Sequence, residues 1–199
     1  MTLLTLIRHG QTDWNLARRI QGSTDIPLND TGREDARSAA ALLADGTHHT
    51  IYASPLVRAK ETAEIIADSL GLDAPELAHD MREREFGDGE GMLVEEYLGA
   101  YESWHGLPRG AESLEQVRDR AISALDTIAA HARRRSAPLA ESVIVVTHGG
   151  VIRALLHHAS SGTLPREGDV LRNGSAHRFE AAPGILRLLD PLAVEVNVT

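Results

Sequence analysis

Leu3-Leu4-Thr5-Leu6-Ile7-Arg8-His9-Gly10-Gln11-Thr12-Asp13-Trp14-Asn15 is the stretch from which the fold is read. An apolar, β-prone run stops at an arginine, a histidine and a glycine. That is the pattern of a buried strand handing reactive side chains to a loop at the edge of a sheet, where open α/β folds place their ligands. A guanidinium grips phosphate oxygens two at a time, and an imidazole serves as base, acid or nucleophile near neutral pH. The pair predicts a phosphate pocket with a nucleophilic His9 at its floor. A histidine at a strand end is more often a hydrogen-bonded structural residue, so the rest of the chain has to supply the partners.

Two further strand-to-helix crossings supply them. Ile51-Tyr52-Ala53 reads as a short strand ending at Ser54. Ser54-Pro55 then offers an N-cap and a first-turn proline for a helix running to Gly71, with Arg58 in its first turn. Val143-Ile144-Val145-Val146, apolar without alternation, predicts a strand buried on both faces. It ends in Thr147-His148-Gly149-Gly150, and a helical pattern covers 151–159. With these strands parallel, Arg8, His9, Arg58 and His148 meet at one sheet edge, where helix N-termini add N–H donors for an anion. His9 would attack phosphorus in line. Phosphoryl transfer asks mainly for positioning and charge stabilisation, so this donor set suffices for the first step with no metal ion or cofactor. The departing alkoxide needs a proton, for which a carboxylic acid is the usual donor.

Around these crossings, residues 16–29 read as a loop over the sheet edge. A capping box of Thr31 and Glu34 opens an alanine-rich helix that Gly46 stops. Residues 77–83 are a strand candidate, Gly87, Gly89 and Gly91 mark a loop, and 94–104 looks helical. Ser113 and Gln116 form the capping box of a long helix that buries Leu114, Val117, Ala121, Leu125, Ile128 and Ala132 and ends at Arg133-Arg134-Arg135. There the arginines complement the helix dipole. Strand candidates at 176–182 and 185–189 flank the turn pair Pro183-Gly184. The alternation predicts a single domain over 1–199, a three-layer α/β/α sandwich with a mostly parallel central sheet.

Composition fits that reading. With 199 residues, 42% hydrophobic and 25% charged, the chain matches ordinary globular proteins and excludes fibrous or disordered classes. It has no cysteine, which removes disulfides and thiolate chemistry. A net charge of −9 argues against nucleic-acid binding, and no apolar run is long enough to cross a bilayer, so a cytoplasmic protein is expected. The adjacent pairs His48-His49 and His157-His158 cannot face one metal together and read as surface residues. His105 reads as structural or exposed, and so does His177, whose place in a loop leaves a substrate contact open.

The chain resembles the histidine phosphatase superfamily, also called phosphoglycerate-mutase-like. The matching blocks are Arg8 to Asn15, Arg19-Ile20-Gln21-Gly22, Asp25-Ile26-Pro27-Leu28, Ser54-Pro55-Leu56-Val57-Arg58-Ala59 with Thr62-Ala63, Arg82-Glu83 with Phe86-Gly87, Glu112-Ser113 and Thr147-His148-Gly149-Gly150. The resemblance implies a phosphohistidine on His9, with Arg8, Arg58 and His148 on the phosphoryl group. Asn15, Gln21, Gly22 and Gly149 complete the implied phosphate-binding set. Glu83 stands at the general-acid position, with Glu85 and Glu90 as fallbacks. Two positions depart from the family pattern: Gly89, where an aromatic residue is common, so one pocket wall is expected to be open, and Ala111 in place of a glycine.

The family's mutases resemble longer chains with an insertion between the acid and the second histidine, and this chain is short there. The tail Asn173-Gly174-Ser175, with Glu180, also looks like that of the small-molecule phosphatases. The implied activity is therefore metal-independent hydrolysis of a small phosphorylated metabolite. A phosphoglycerate-type mutase is the runner-up, and a silent phosphate-binding module stands further back. Specificity should lie in residues 21–27, 87–108 and 166–177. A homodimer is an expectation by analogy with relatives alone.

Overall fold

In the computed structural model, residues 1–44, 46–136, 141–166 and 168–189 are described. Glu167, inside one of the segments expected to set specificity, lies outside them, as do residues 190–199. The elements in chain order are β1 (Thr2–Arg8), α1 (Asp13–Leu16), α2 (Asp30–Leu43), β2 (Thr50–Ala53), α3 (Val57–Leu70), β3 (Glu76–Leu77), α4 (Val94–Tyr101), α5 (Leu114–Ser136), β4 (Ser142–Thr147), α6 (Gly149–Ala159), β5 (Ala176–Ala182) and β6 (Ile185–Leu188).

The six strands form one mixed sheet in the order β3-β2-β4-β1-β5-β6. The pairs β3–β2, β2–β4 and β4–β1 are parallel, whereas β1–β5 and β5–β6 are antiparallel, so the sheet is mostly parallel with an antiparallel flank. Helices cover both faces. Ile7, Ile51, Ala53, Ile144 and Val146 pack against Ala39, Ala40 and Leu43 of α2 and Ala59, Ala63 and Ile66 of α3. Leu4, Leu6, Val143 and Val145 pack against Val117, Ala121 and Leu125 of α5 and Val151, Ile152 and Leu155 of α6. Successive β4 residues thus feed opposite layers, which is why its sequence shows no alternation. A smaller cluster of Ile20, Phe86 and Tyr97, joined by Met92, Leu98 and Trp104, holds α4 beside the main core.

Several local expectations shift. Helix α2 is capped by Asn29, whose side chain accepts from Gly32 N at 2.9 Å, so the Thr31–Glu34 box does not form. Ser54 is not the N-cap of α3. Leu56 takes that position with no side-chain bond of its own, and the free Val57 N–H is satisfied at 2.8 Å by Asp25 from the loop after α1. The strand expected over 77–83 shrinks to two residues of β3 followed by a 3-10 turn over His79–Met81. Helix α4 stops at Tyr101, where Glu102 takes the left-handed conformation. The Ser113–Gln116 box does form, with reciprocal bonds of 2.7 and 3.2 Å. His177 belongs to β5, fully buried and opposite Leu6, which removes it from any loop over the site. Among the described residues, no helix is long and apolar enough to cross a membrane.

Candidate functional site

Strand register builds the site. Arg8 pairs with Thr147 across β1 and β4, so His9 and His148 emerge side by side, with His9 N bonded to Thr147 O at 3.0 Å. Ala53 pairs with Val146 on the other flank of β4, which ends β2 at the same level and delivers Ser54 there. The two imidazoles lie 5.1 Å apart by ring centroid, tilted by 58°. Both are buried, His9 at 2% and His148 at 0% exposure.

The His9 ring is oriented by its own neighbour. Nδ1 lies 2.7 Å from Gly10 O, an acceptor only, so Nδ1 carries the proton and Nε2 keeps its lone pair. Nε2 has no hydrogen-bond partner among the described residues and is open to solvent. Burial, then Arg58, then Arg8 hold the His9 pKa well below the ordinary value. The ring is neutral at neutral pH, as a nucleophile must be. Burial, Arg58 and His9 do the same to His148. A hydrogen-bonded floor stiffens this corner: Gly10 N donates to Thr62 Oγ1 at 3.0 Å, and that hydroxyl donates to Arg58 O at 2.7 Å.

Both arginines are held by backbone carbonyls. Arg8 Nη1 donates to Leu171 O, while Arg58 donates from Nη1 to Thr24 O at 2.9 Å and from Nη2 to Gly22 O at 2.8 Å. Burial lowers the Arg8 pKa to about 10 and pulls that of Arg58 down as well. The Nε of each is sealed without a partner among the described residues, as is His148 Nδ1. Buried donors in native proteins are seldom left unpaired, and with the His148 ring near that of His9 and both guanidiniums close enough to act on its charge, three such donors from three segments are suited to holding an oxyanion.

Glu83 is held from two sides, with Oε1 accepting from Arg84 N at 2.8 Å and Oε2 from Gly150 N at 3.2 Å. At 9% exposure it is no surface carboxylate. A Cβ on Gly150 would stand 2.4 Å from Glu83 Oε1, so the second glycine after His148 is what admits the acid to the site. Glu90 is spent elsewhere: its carboxylate accepts from the N–H and hydroxyl groups of Ser23 and Thr24 and from Phe86 N. The Glu85 side chain is 45% exposed and lies 3.7 Å from Arg82.

The other expected residues fall around this core. Asn15 Oδ1 accepts from Thr12 N at 3.1 Å and Asn173 Nδ2 at 3.2 Å, which leaves its amide N–H groups for another acceptor. Gln21 Oε1 lies 3.0 Å from Thr12 Oγ1. Gly22 contributes its carbonyl to Arg58; its φ of +57° and a Cβ position 2.1 Å from Glu90 Oε1 both demand glycine. Gly149 lies against Arg8, with Nε 3.3 Å from its Cβ position. Gly89 is packed against Tyr97 and Pro108, which stand 2.9 and 3.2 Å from the Cβ position there.

Two braces went unread in the sequence. Arg120 of α5 chelates Glu112 through two bonds of 2.8 Å and reaches the carbonyls of Asp80, Arg82 and Glu83 at 2.7, 2.8 and 3.1 Å, fixing the backbone that carries the acid. Arg84 is fully buried and ties that backbone to Glu112 O, Trp104 O and Gly106 O at 2.8, 2.5 and 2.6 Å. Only the Glu112-Ser113 block hinted at either.

The chain as a whole is similar to known proteins. The chain is 39% identical over 190 residues to "Uncharacterized phosphatase PhoE" of Bacillus subtilis (strain 168), covering 96% of this chain and 94% of that one. It is 35% identical to "Phosphoglycerate mutase-like protein 4" of Arabidopsis thaliana, covering 91% and 80%. Its fold superposes with a TM-score of 0.80 on a mycobacterial glucosyl-3-phosphoglycerate phosphatase solved with VO3, at 26% identity and with 95% and 97% coverage. The model of the "Histidine phosphatase superfamily (branch 1)" matches residues 4–189, and the chain belongs to that family.

Proposed function

We propose that this chain is a phosphomonoesterase that hydrolyses a small phosphorylated metabolite through a phosphohistidine on His9, without a metal ion. The observation that carries the reading is the unbonded Nε2 of a neutral His9 beside three sealed, unpartnered donors, Arg8 Nε, Arg58 Nε and His148 Nδ1. In the first step the Nε2 lone pair forms a bond to phosphorus, the bond from phosphorus to the ester oxygen breaks, and the Glu83 carboxylic acid gives its proton to that oxygen. Nδ1–H stays on Gly10 O and stabilises the cationic phosphoimidazole. In the second step Glu83, now a carboxylate, takes a proton from water as the water oxygen bonds to phosphorus and the P–N bond breaks. Phosphate leaves, and Glu83 is again protonated. The guanidiniums and His148 follow the three equatorial oxygens throughout, with Asn15 and Gln21 at their edge.

Hydrolysis is preferred to a mutase because water must reach phosphorus, and the stretch between Glu83 and His148 is short for a closing element. The test is a phosphate-release screen over a metabolite panel with chelator present, run beside His9→Ala. Release by the parent chain alone supports the reading. Release abolished by chelator overturns the metal-free mechanism, and interconversion of phosphoglycerate isomers without release makes the protein a mutase.

A further inference from the structure

Ser54 is buried at 0% exposure and takes no part in the steps above. Its backbone is pinned by Ser54 N to Val146 O at 3.0 Å, which puts the hydroxyl at the level of the two histidines. Oγ lies 2.7 Å from His148 Nε2 and accepts from Leu56 N at 3.3 Å. A hydroxyl has one proton and two lone pairs, and a neutral imidazole has one protonated and one bare nitrogen. With one lone pair on Leu56, the serine proton has a single acceptor within reach, His148 Nε2. The reverse direction, Nε2–H donating to Oγ, would strand the serine proton and turn a bare Nδ1 lone pair toward any bound oxyanion.

We infer that Ser54 is a positioning residue that selects the His148 tautomer, holding the proton on Nδ1 so that this nitrogen is a donor to the phosphoryl group. The inference rests on the phosphatase reading for its catalytic consequence and on the hydrogen-bond geometry alone for the tautomer. It explains why His148 Nδ1 is sealed without a protein partner beside the unpartnered Nε atoms of Arg8 and Arg58. All three would be satisfied together by one tetrahedral anion. Burial and the neighbouring cations keep the His148 pKa low, so the ring stays neutral and its tautomer matters.

The experiment is 15N NMR of the histidine side chains in the full chain free of substrate, for the parent, Ser54→Ala and Ser54→Thr, with steady-state kinetics on the same samples. The parent is expected to show His148 with the proton on Nδ1, Ser54→Thr to keep it, and Ser54→Ala to populate the Nε2–H form. Ser54→Ala should also lose up to about 10²-fold in kcat, the scale of one lost oxyanion donor. A parent His148 protonated on Nε2, or an unchanged tautomer in Ser54→Ala, overturns the inference. The expected tautomers in a protein that releases no phosphate from any ester would leave Ser54's role standing and sink the phosphatase reading instead.

Discussion

Gly150→Ala should separate acid catalysis from phosphate binding. The added Cβ would stand 2.4 Å from Glu83 Oε1, whereas ordinary contact begins near 3.4 Å, so the carboxyl group retreats by about 1 Å. That retreat breaks the 2.8 Å bond from Arg84 N and shifts the proton donor away from the leaving oxygen. A misplacement of about 1 Å costs on the order of 10²-fold, about 2.7 kcal/mol of barrier. The loss should appear with alkyl phosphates, whose alkoxide needs a proton, and nearly vanish with p-nitrophenyl phosphate, whose phenolate leaves unaided. Stability should change little, because one lost hydrogen bond of about 0.5–1.5 kcal/mol is largely offset by about 0.8–1.0 kcal/mol from replacing a helical glycine. The assay is kcat/KM on both ester types with a thermal melt as control. An equal loss on the two esters, or none on either, would refute the assignment of Glu83 as the proton donor.

Acid should destabilise the fold through its two buried imidazoles. Both have folded pKa values depressed well below 6.5, so above about pH 6.5 they are neutral in either state and contribute nothing. Below that, the unfolded chain takes up protons the folded chain refuses, so stability falls as pH drops through the unfolded imidazole range. Urea titrations at about pH 7.5 and about pH 5.5 should therefore show less stability in acid from these rings, and His148→Gln should remove part of that decline; an unchanged acid-side decline contradicts it. Arg120→Met removes the bidentate partner of Glu112, whose side chain is only 13% exposed, and leaves it Glu85 N and Arg82; it should cost about 1.5–3 kcal/mol, lowering Tm by about 3–12 °C in a melt. An unaltered Tm would mean that the backbone around Glu83 is held by Arg84 alone.

Much of the fold was legible because its signals are local. An apolar run ending in Arg8-His9, another ending in Thr147-His148, and turn glycines between them identify parallel strands without knowledge of their partners, and the register of Arg8 with Thr147 then brings the histidines together. The capping box at Ser113 was equally readable, being complete within four residues. What stayed hidden are groups whose partners lie far along the chain. Asp25 replaces the local cap of α3 across 32 positions, and Arg120 grips Glu83 O across 37. Glu90 closes on Ser23 and Thr24 and through them sets the carbonyl of Thr24 that holds Arg58. A tertiary capping bond overrode the local motif expected at Ser54, and that freed the serine hydroxyl for His148.

The central claim is that His9 Nε2 becomes bonded to phosphorus, and rapid quenching in alkali after mixing with a 32P-labelled ester tests it most directly. The account predicts an alkali-stable, acid-labile label on the peptide carrying His9, formed at least as fast as turnover and missing from His9→Ala. Turnover with no protein-bound label at any quench time, or label on a different side chain, would contradict it.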